Sequence, residues 1–177
     1  NMDMTGYERI RIQVKNPSTP VTLRLQLQTV DGSSWYLDKQ IKTGTVLSTM
    51  DYPLRNFAER WTGSPYYIPD SIDPNLRKLH SLTLVFVESS SPRSIIVDHI
   101  ALVNGDPLSV SEIMVDGFEN YGTDTTMQLA GWAAEAGTLK LDTESYGGRY
   151  SANFTSTGSY ANHSKSNYNI DMTGYDR

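Results

Sequence analysis

The sequence predicts an all-β fold, a β-sandwich of the jelly-roll kind. Three observations carry the prediction: two stretches alternate strictly between apolar and polar residues, turn residues separate the segments at short intervals, and no stretch shows a convincing helical period. An apolar residue at every second position puts one face of an extended strand in a core and the other outside. Several such strands with Gly, Pro, Asn and Asp between them pack as two sheets.

The elements follow in chain order. Tyr7–Val14 places Ile10, Ile12 and Val14 on one face and Arg11 and Gln13 on the other, and Asn16-Pro-Ser-Thr-Pro20 is the turn after it. Val21–Gln28 repeats the pattern, with Leu23, Leu25 and Leu27 opposite Arg24, Gln26 and Gln28. Asp31-Gly32 marks a turn, and Ser34–Leu37 opens the next strand. Residues 45–52 form a strand running into Pro53-Leu-Arg-Asn-Phe57, and 58–78 read as a long loop rich in aromatics and proline. Leu79–Glu88 and Ser94–Val103 are strands flanking Ser89-Ser-Ser-Pro92. After Asn104-Gly-Asp-Pro107 the chain starts afresh at Ile113–Glu119, and strands Leu139–Asp142 and Arg149–Thr155 flank the turn Ser145–Gly148. Trp35 and Trp132, large aromatics within a sandwich, are expected in the core rather than at a site.

Composition removes several functions. The net charge is −5 with both signs interspersed, which argues against nucleic acid, whose backbone requires a basic patch. No cysteine is present, which excludes a disulfide framework, a thiol nucleophile and a Cys-ligated metal. No apolar run approaches the roughly 20 residues of a membrane-spanning helix. Eleven Tyr and three Trp against four Phe favour aromatics that carry a polar handle.

One long-range pattern stands out. Asn1-Met-Asp-Met-Thr-Gly-Tyr-Glu-Arg9 returns as Asn169-Ile-Asp-Met-Thr-Gly-Tyr-Asp-Arg177, identical at seven of nine positions. The offset is a whole domain, which implies tandem copies cut within the copies, and linked copies suit binding because they gain avidity. On this reading residues 1–104 are the last two-thirds of one copy and 113–177 the opening third of the next, joined by a linker, 105–112. One sandwich then forms either by closure within the chain as a circular permutant or by a domain swap. Closure is favoured because Asn104–Glu112 makes a short, hairpin-like link. Residues 1–9 and 169–177 compete for one place, which 1–9 are expected to hold through continuity with the Ile10–Val14 strand.

The polar sides of the two alternating strands also suggest a function. Arg11, Gln13, Arg24, Gln26 and Gln28 are expected to project together, either as a solvated surface or as a platform for sugar hydroxyls, which planar donors and acceptors suit. Four motifs sharpen this: Phe118-Glu119, Gly147-Gly-Arg-Tyr-Ser151, Ile96-Val-Asp-His-Ile-Ala-Leu102 and Tyr52-Pro-Leu-Arg-Asn-Phe57. Taken in the order 113–177 and then 10–104, the chain resembles a galactose-binding-like β-jelly-roll carbohydrate-binding module, closest to family 11.

That resemblance implies a non-catalytic module that binds a β-glucan or a decorated β-1,4-glucan such as xanthan. It would target an appended glycoside hydrolase or lyase in a bacterial protein that is secreted or displayed on the cell surface. The alternative is a sugar-independent adhesion or spacer module. Tyr160 matches the family's cleft tyrosine. The segment Arg60-Trp-Thr-Gly-Ser-Pro-Tyr-Tyr67 stands where the family has an Arg-rich segment with an Asp-Tyr pair, and Phe86 replaces another family tyrosine. Trp61, Tyr66, Tyr67 and Tyr160 are thus expected to line one cleft beside Arg24, Gln26 and Arg60. The resemblance also implies a structural Ca²⁺ on Asp98 and Glu119 with a backbone oxygen near Gly147. Hard oxygen donors of this kind suit that ion.

Catalytic signatures are missing from the sequence. His80, His99 and His163 have no metal-ligand spacing, and strand alternation puts His99 on the side opposite Asp98. Asp38, Asp51, Glu59 and Asp70 have no motif that marks a catalytic carboxylate pair.

Overall fold

A computed structural model describes residues 1–59, 73–87, 92–105, 111–146, 148–157 and 161–166. Thirteen strands, one short α-helix and one 3-10 turn (Leu54–Asn56) are assigned among them. The strands are β1 (Met2–Asp3), β2 (Arg9–Lys15), β3 (Val21–Thr29), β4 (Ser34–Ile41), β5 (Ser48–Pro53), β6 (Ala58–Glu59), β7 (Lys78–Val87), β8 (Arg93–Asn104), β9 (Ser111–Asp116), β10 (Trp132–Ala134), β11 (Gly137–Asp142), β12 (Ser151–Ser156) and β13 (Ala161–Lys165). The helix α1 is Asp124–Leu129. They form two antiparallel sheets packed face to face, an all-β sandwich. The seven-stranded sheet runs β10-β13-β7-β3-β4-β6 with β1 beside β7; the six-stranded sheet runs β11-β12-β8-β2-β5 with β9 beside β8. No helix among the described residues is long and apolar enough to cross a membrane.

The alternation seen in the sequence decides which faces meet. Ile10, Ile12 and Val14 of β2 face Leu23, Leu25 and Leu27 of β3 across one apolar cluster, all but fully buried. Phe86 and Leu84 of β7 and Ile95, Val97, Ile100 and Leu102 of β8 complete its centre. Trp35 and Trp132 both lie in this core.

The strands of residues 111–166 are paired to those of residues 9–104 within the same chain. β12 hydrogen-bonds to β8 over Ala152–Ser156, and β13 to β7 over Ala161–Lys165. β8 and β9 are antiparallel neighbours, with Asn104 opposite Ser111. At the other end of the chain, Met2 and Asp3 lie opposite Leu79 and Lys78 of β7. Residues 167–177 lie outside the described residues.

Three elements depart from the sequence expectation. α1 is only six residues long, too short to show a period, and is set by Thr123, whose hydroxyl accepts from the Thr126 N–H. β10 is three residues long. In β13 the inward positions are Ala161, His163 and Lys165, so its alternation is not one of apolar against polar. The expected loop 58–78 also gives up its ends, Ala58–Glu59 to β6 and Lys78 to β7.

Polar groups support the core where the later strands enter it. Asp116 on β9 accepts from the Phe118 N–H (2.8 Å), the Tyr121 hydroxyl (2.5 Å) and the Trp132 indole N–H (2.8 Å). Lys165 on β13 lies 3.2 Å from the same carboxylate and donates to the Tyr121 oxygen and the Ala130 carbonyl. The ion pair is buried, its side chains 8% and 6% exposed, and it links the seven-stranded sheet to the six-stranded one.

Candidate functional sites

The expected common platform does not form. Arg11 and Gln13 lie on β2 of the six-stranded sheet, whereas Arg24, Gln26 and Gln28 lie on β3 of the seven-stranded sheet. Each strand turns its apolar side into the shared core, so the polar sides point away from each other. Two separate faces result.

On the seven-stranded face, Arg24 lies opposite Asp38 and Gln26 opposite Tyr36 in the β3–β4 pair. The Arg24 guanidinium donates twice to Asp38, from Nε (2.7 Å) and Nη2 (2.9 Å), and lies 4.2 Å over the Tyr36 ring. One face of Tyr36 is therefore occupied by a cation. Towards β7 and β13 the same side continues with Ser81 and Thr83, then Asn162 and Ser164. Ser81 donates to the Gln28 amide oxygen, and Asn162 donates to Glu135. Directly opposite Arg24 on β7 is the buried Val85, which also faces Asn162 of β13, so the face combines hydroxyls and amides with an apolar centre beside the Arg24–Asp38 pair. Asp38 and Tyr36 were not marked by any motif, but reflection of β3 about the Asp31-Gly32 turn places Asp38 opposite Arg24.

Arg60, Trp61, Tyr66, Tyr67 and Tyr160 lie outside the described residues. Their points of attachment are described. Residue 60 follows β6, at one edge of the seven-stranded sheet, where Glu59 lies opposite Trp35. Tyr160 precedes Ala161, the first residue of β13, opposite Phe86. Phe86 itself is fully buried between the sheets and packs edge-on against His163.

On the six-stranded face, Arg11 also donates twice to its cross-strand neighbour Asp51, at 2.8 and 3.1 Å. Arg9 reaches the same carboxylate at 3.4 Å, Lys15 pairs with Glu144, and His99 meets Glu112 at 2.9 Å. Of the acidic residues without a motif, Asp38 and Asp51 are therefore ion-paired, and Asp70 lies outside the described residues.

Asp98 and Glu119 are both directed into the turn after β11. Asp98 is 3% exposed and accepts from the Tyr146 and His99 N–H groups, each at 2.7 Å. Glu119 accepts from the Arg149 and Tyr150 N–H groups. Gly148 closes this cradle, since a Cβ there would lie 2.0 Å from the Glu119 Oε1. Burial pushes the Asp98 carboxyl above the usual carboxylate range, the two N–H donors pull the other way, and the charge of Glu119 adds to the rise.

The backbone beside each carboxylate is left-handed at a non-glycine residue: His99 has φ 48° and Phe118 φ 61°. Such conformations cost roughly 1–3 kcal/mol each and gather at functional sites. The first arises at a bulge, because the β2–β8 register steps from Arg11–Ala101 to Gln13–Asp98, leaving one extra residue on β8. The bulge corrects the expectation for His99. Its ring is not turned to the opposite side but meets Glu112 and packs against Tyr146, whose N–H binds Asp98.

Among the described residues no group of three or more His, Cys, Asp or Glu side chains could hold a metal. An ion beside Asp98 and Glu119 would take its other oxygens from backbone carbonyls. Gly147 lies outside the described residues.

A separate cleft of about 540 Å³ is lined by Trp132 and the polar residues Asp124, Gln128, Thr138 and Lys140, none of them marked in the sequence. Compared with protein-family models, curated proteins and solved structures, the chain matches none significantly.

Proposed function

We propose that the protein is a non-catalytic carbohydrate-binding module of the galactose-binding-like jelly-roll type. It holds a polysaccharide, a β-glucan or a decorated β-1,4-glucan such as xanthan, against the outer face of the seven-stranded sheet. The observation that carries this reading is the composition of that face: uncharged groups from β3, β7 and β13, the amides and hydroxyls of Gln26, Thr83 and Asn162 with the buried Val85 among them, beside the Arg24–Asp38 pair. Sugars present many hydroxyls and little charge, so they match such a surface better than a charged ligand would. The segment that begins at Arg60 follows β6, at one edge of this sheet, and the segment that ends at Tyr160 leads into β13, the strand next to the other edge, with the Arg24 strand between them. Trp61, Tyr66, Tyr67 and Tyr160 then supply rings that stack on the apolar faces of the sugar.

In this reading a structural Ca²⁺ joins Asp98 to Glu119. Two carboxylates are brought to one turn beside left-handed backbone, burial and the charge of Glu119 raise the Asp98 pKa, and a cation there would favour the ionised carboxylate. The module belongs to a secreted or surface-bound bacterial protein with neighbouring copies and a catalytic domain that does the cleavage.

Affinity electrophoresis through gels containing barley β-glucan, xyloglucan or xanthan tests the function. Retardation by at least one polymer, without release of reducing ends, is the expected result. Migration unchanged by every polymer returns the chain to the adhesion or spacer class, and release of products makes it an enzyme.

A further inference from the structure

The edge of β7 carries two strands end to end. β3 lies along one edge of β7 throughout, so β13 (opposite Phe86 to Leu82) and β1 (opposite Leu79 and Lys78) share the other. Both run antiparallel to β7, so β13 points along the edge directly at the place β1 fills.

That place has strict requirements. Met2 and Met4 are 2% and 0% exposed in the core. The Met4 N–H donates to the Arg77 carbonyl, and Asp3 caps the turn by accepting from the Thr5 N–H and hydroxyl. Gly6 has φ +80°, a conformation that favours glycine, and the Glu8 N–H reaches the Val103 carbonyl. Residues 169–177 meet each requirement: Ile170 for Met2, Asp171 for Asp3, Met172 for Met4, Thr173 for Thr5 and Gly174 for Gly6.

The distance is also right. From the position opposite Leu82 to that opposite Leu79 is about 10 Å along a strand. The five residues from Lys165 to Ile170 reach up to about 17 Å. So short a closure costs little entropy.

We propose that the edge of β7 at Lys78–Leu79 is an exchange site, entered by residues 169–177 of the same chain as a continuation of β13, with displacement of residues 1–8. The exchange ends at Arg9, where β2 is held by β5 and β8. Because the two segments offer nearly the same contacts, neither excludes the other by a large margin.

A double-mutant cycle on the full chain tests this. Met4→Asp puts a charge in the buried position and closes the site to residues 1–8; Met172→Asp does the same to residues 169–177. Each single variant is expected to melt close to the wild type, and the double variant to fall by more than twice the sum of the single losses. Additive losses, or a Met4→Asp chain that is already unfolded, would overturn the proposal. A rescue of Met4→Asp that vanishes on hundredfold dilution would assign the occupant to a second copy and overturn the same-chain assignment. The cysteine-free chain also permits a direct trap. Oxidation of Lys78→Cys/Asp171→Cys is expected to give an intrachain disulfide, faster in the Met4→Asp background. No bond there, while Lys78→Cys/Asp3→Cys closes readily, would contradict the exchange.

Discussion

The two outer faces of the sandwich carry the same device in different company. Arg24–Asp38 on the seven-stranded sheet and Arg11–Asp51 on the six-stranded sheet are both bidentate cross-strand pairs, with arginines 22% and 19% exposed and aspartates both 35%. Around Arg24 the neighbours are the buried Val85 and then Gln26, Thr83 and Asn162, none of them charged; around Arg11 they are Arg9, Glu112 and His99, with Lys15–Glu144 further along β2. An ion pair amid uncharged groups leaves hydroxyl-matching surface beside it, whereas a pair among other charges is one more link in a charge network. The comparison teaches that the residues around the pair, and not the pair itself, distinguish a candidate sugar face from a solvated one.

The largest expected effect concerns what holds those faces back to back. Asp116→Ala strips the buried Lys165 of its counter-charge and leaves the Tyr121 and Trp132 donors without their acceptor. It should cost about 3–5 kcal/mol in denaturant unfolding. Lys165→Met should cost less, because Asp116 keeps three hydrogen-bond donors. Equal losses would show that the lysine, and not the network, fixes the sheets.

Next in size is the calcium response of the six-stranded side. Added Ca²⁺ should raise the melting temperature of the wild type, since an ion that binds only the folded form stabilises it. It should leave Asp98→Asn unchanged. In EDTA, Asp98 titrates above its unfolded value, so its contribution to stability falls as pH rises through that folded pKa; calcium should reverse this slope. A melting temperature indifferent to both EDTA and calcium removes the ion from the account.

The legible and illegible parts of the fold divide along the same physical line. β2 and β3 were readable because Ile, Val and Leu alternate with Arg and Gln. β13 was not, because His163 and Lys165 occupy its inward positions and are tolerated only through buried partners. α1 and β10 are too short to display any period. The separation of the two polar faces could not be read either, since alternation says which residues share a side of one strand but not which sheet that strand joins. Asp98 and Glu119 were reached through family resemblance; the bulge at His99 that turns its ring toward the same loop left no mark in the sequence.

A smaller effect tests the inner side of the seven-stranded sheet. His163 is fully buried between Phe86 and Phe154, and desolvation holds its pKa below the ordinary 6.5. The unfolded chain therefore binds more protons below that value, and stability should fall as pH drops from 6.5 towards the folded pKa. His163→Phe should flatten the loss in thermal melts across that window. The smallest effects belong to the outer pairs themselves: Arg24→Ala and Arg11→Ala should each cost less than about 1 kcal/mol, because both pairs are partly exposed to water.

That near-equality in stability makes these two variants the sharpest probe of function. Retardation of wild type, Arg24→Ala and Arg11→Ala should be compared in gels containing whichever polysaccharide slows the wild type. The account predicts that Arg24→Ala weakens binding several-fold while Arg11→Ala migrates like the wild type. Equal retardation of all three, or a loss confined to Arg11→Ala, would contradict it.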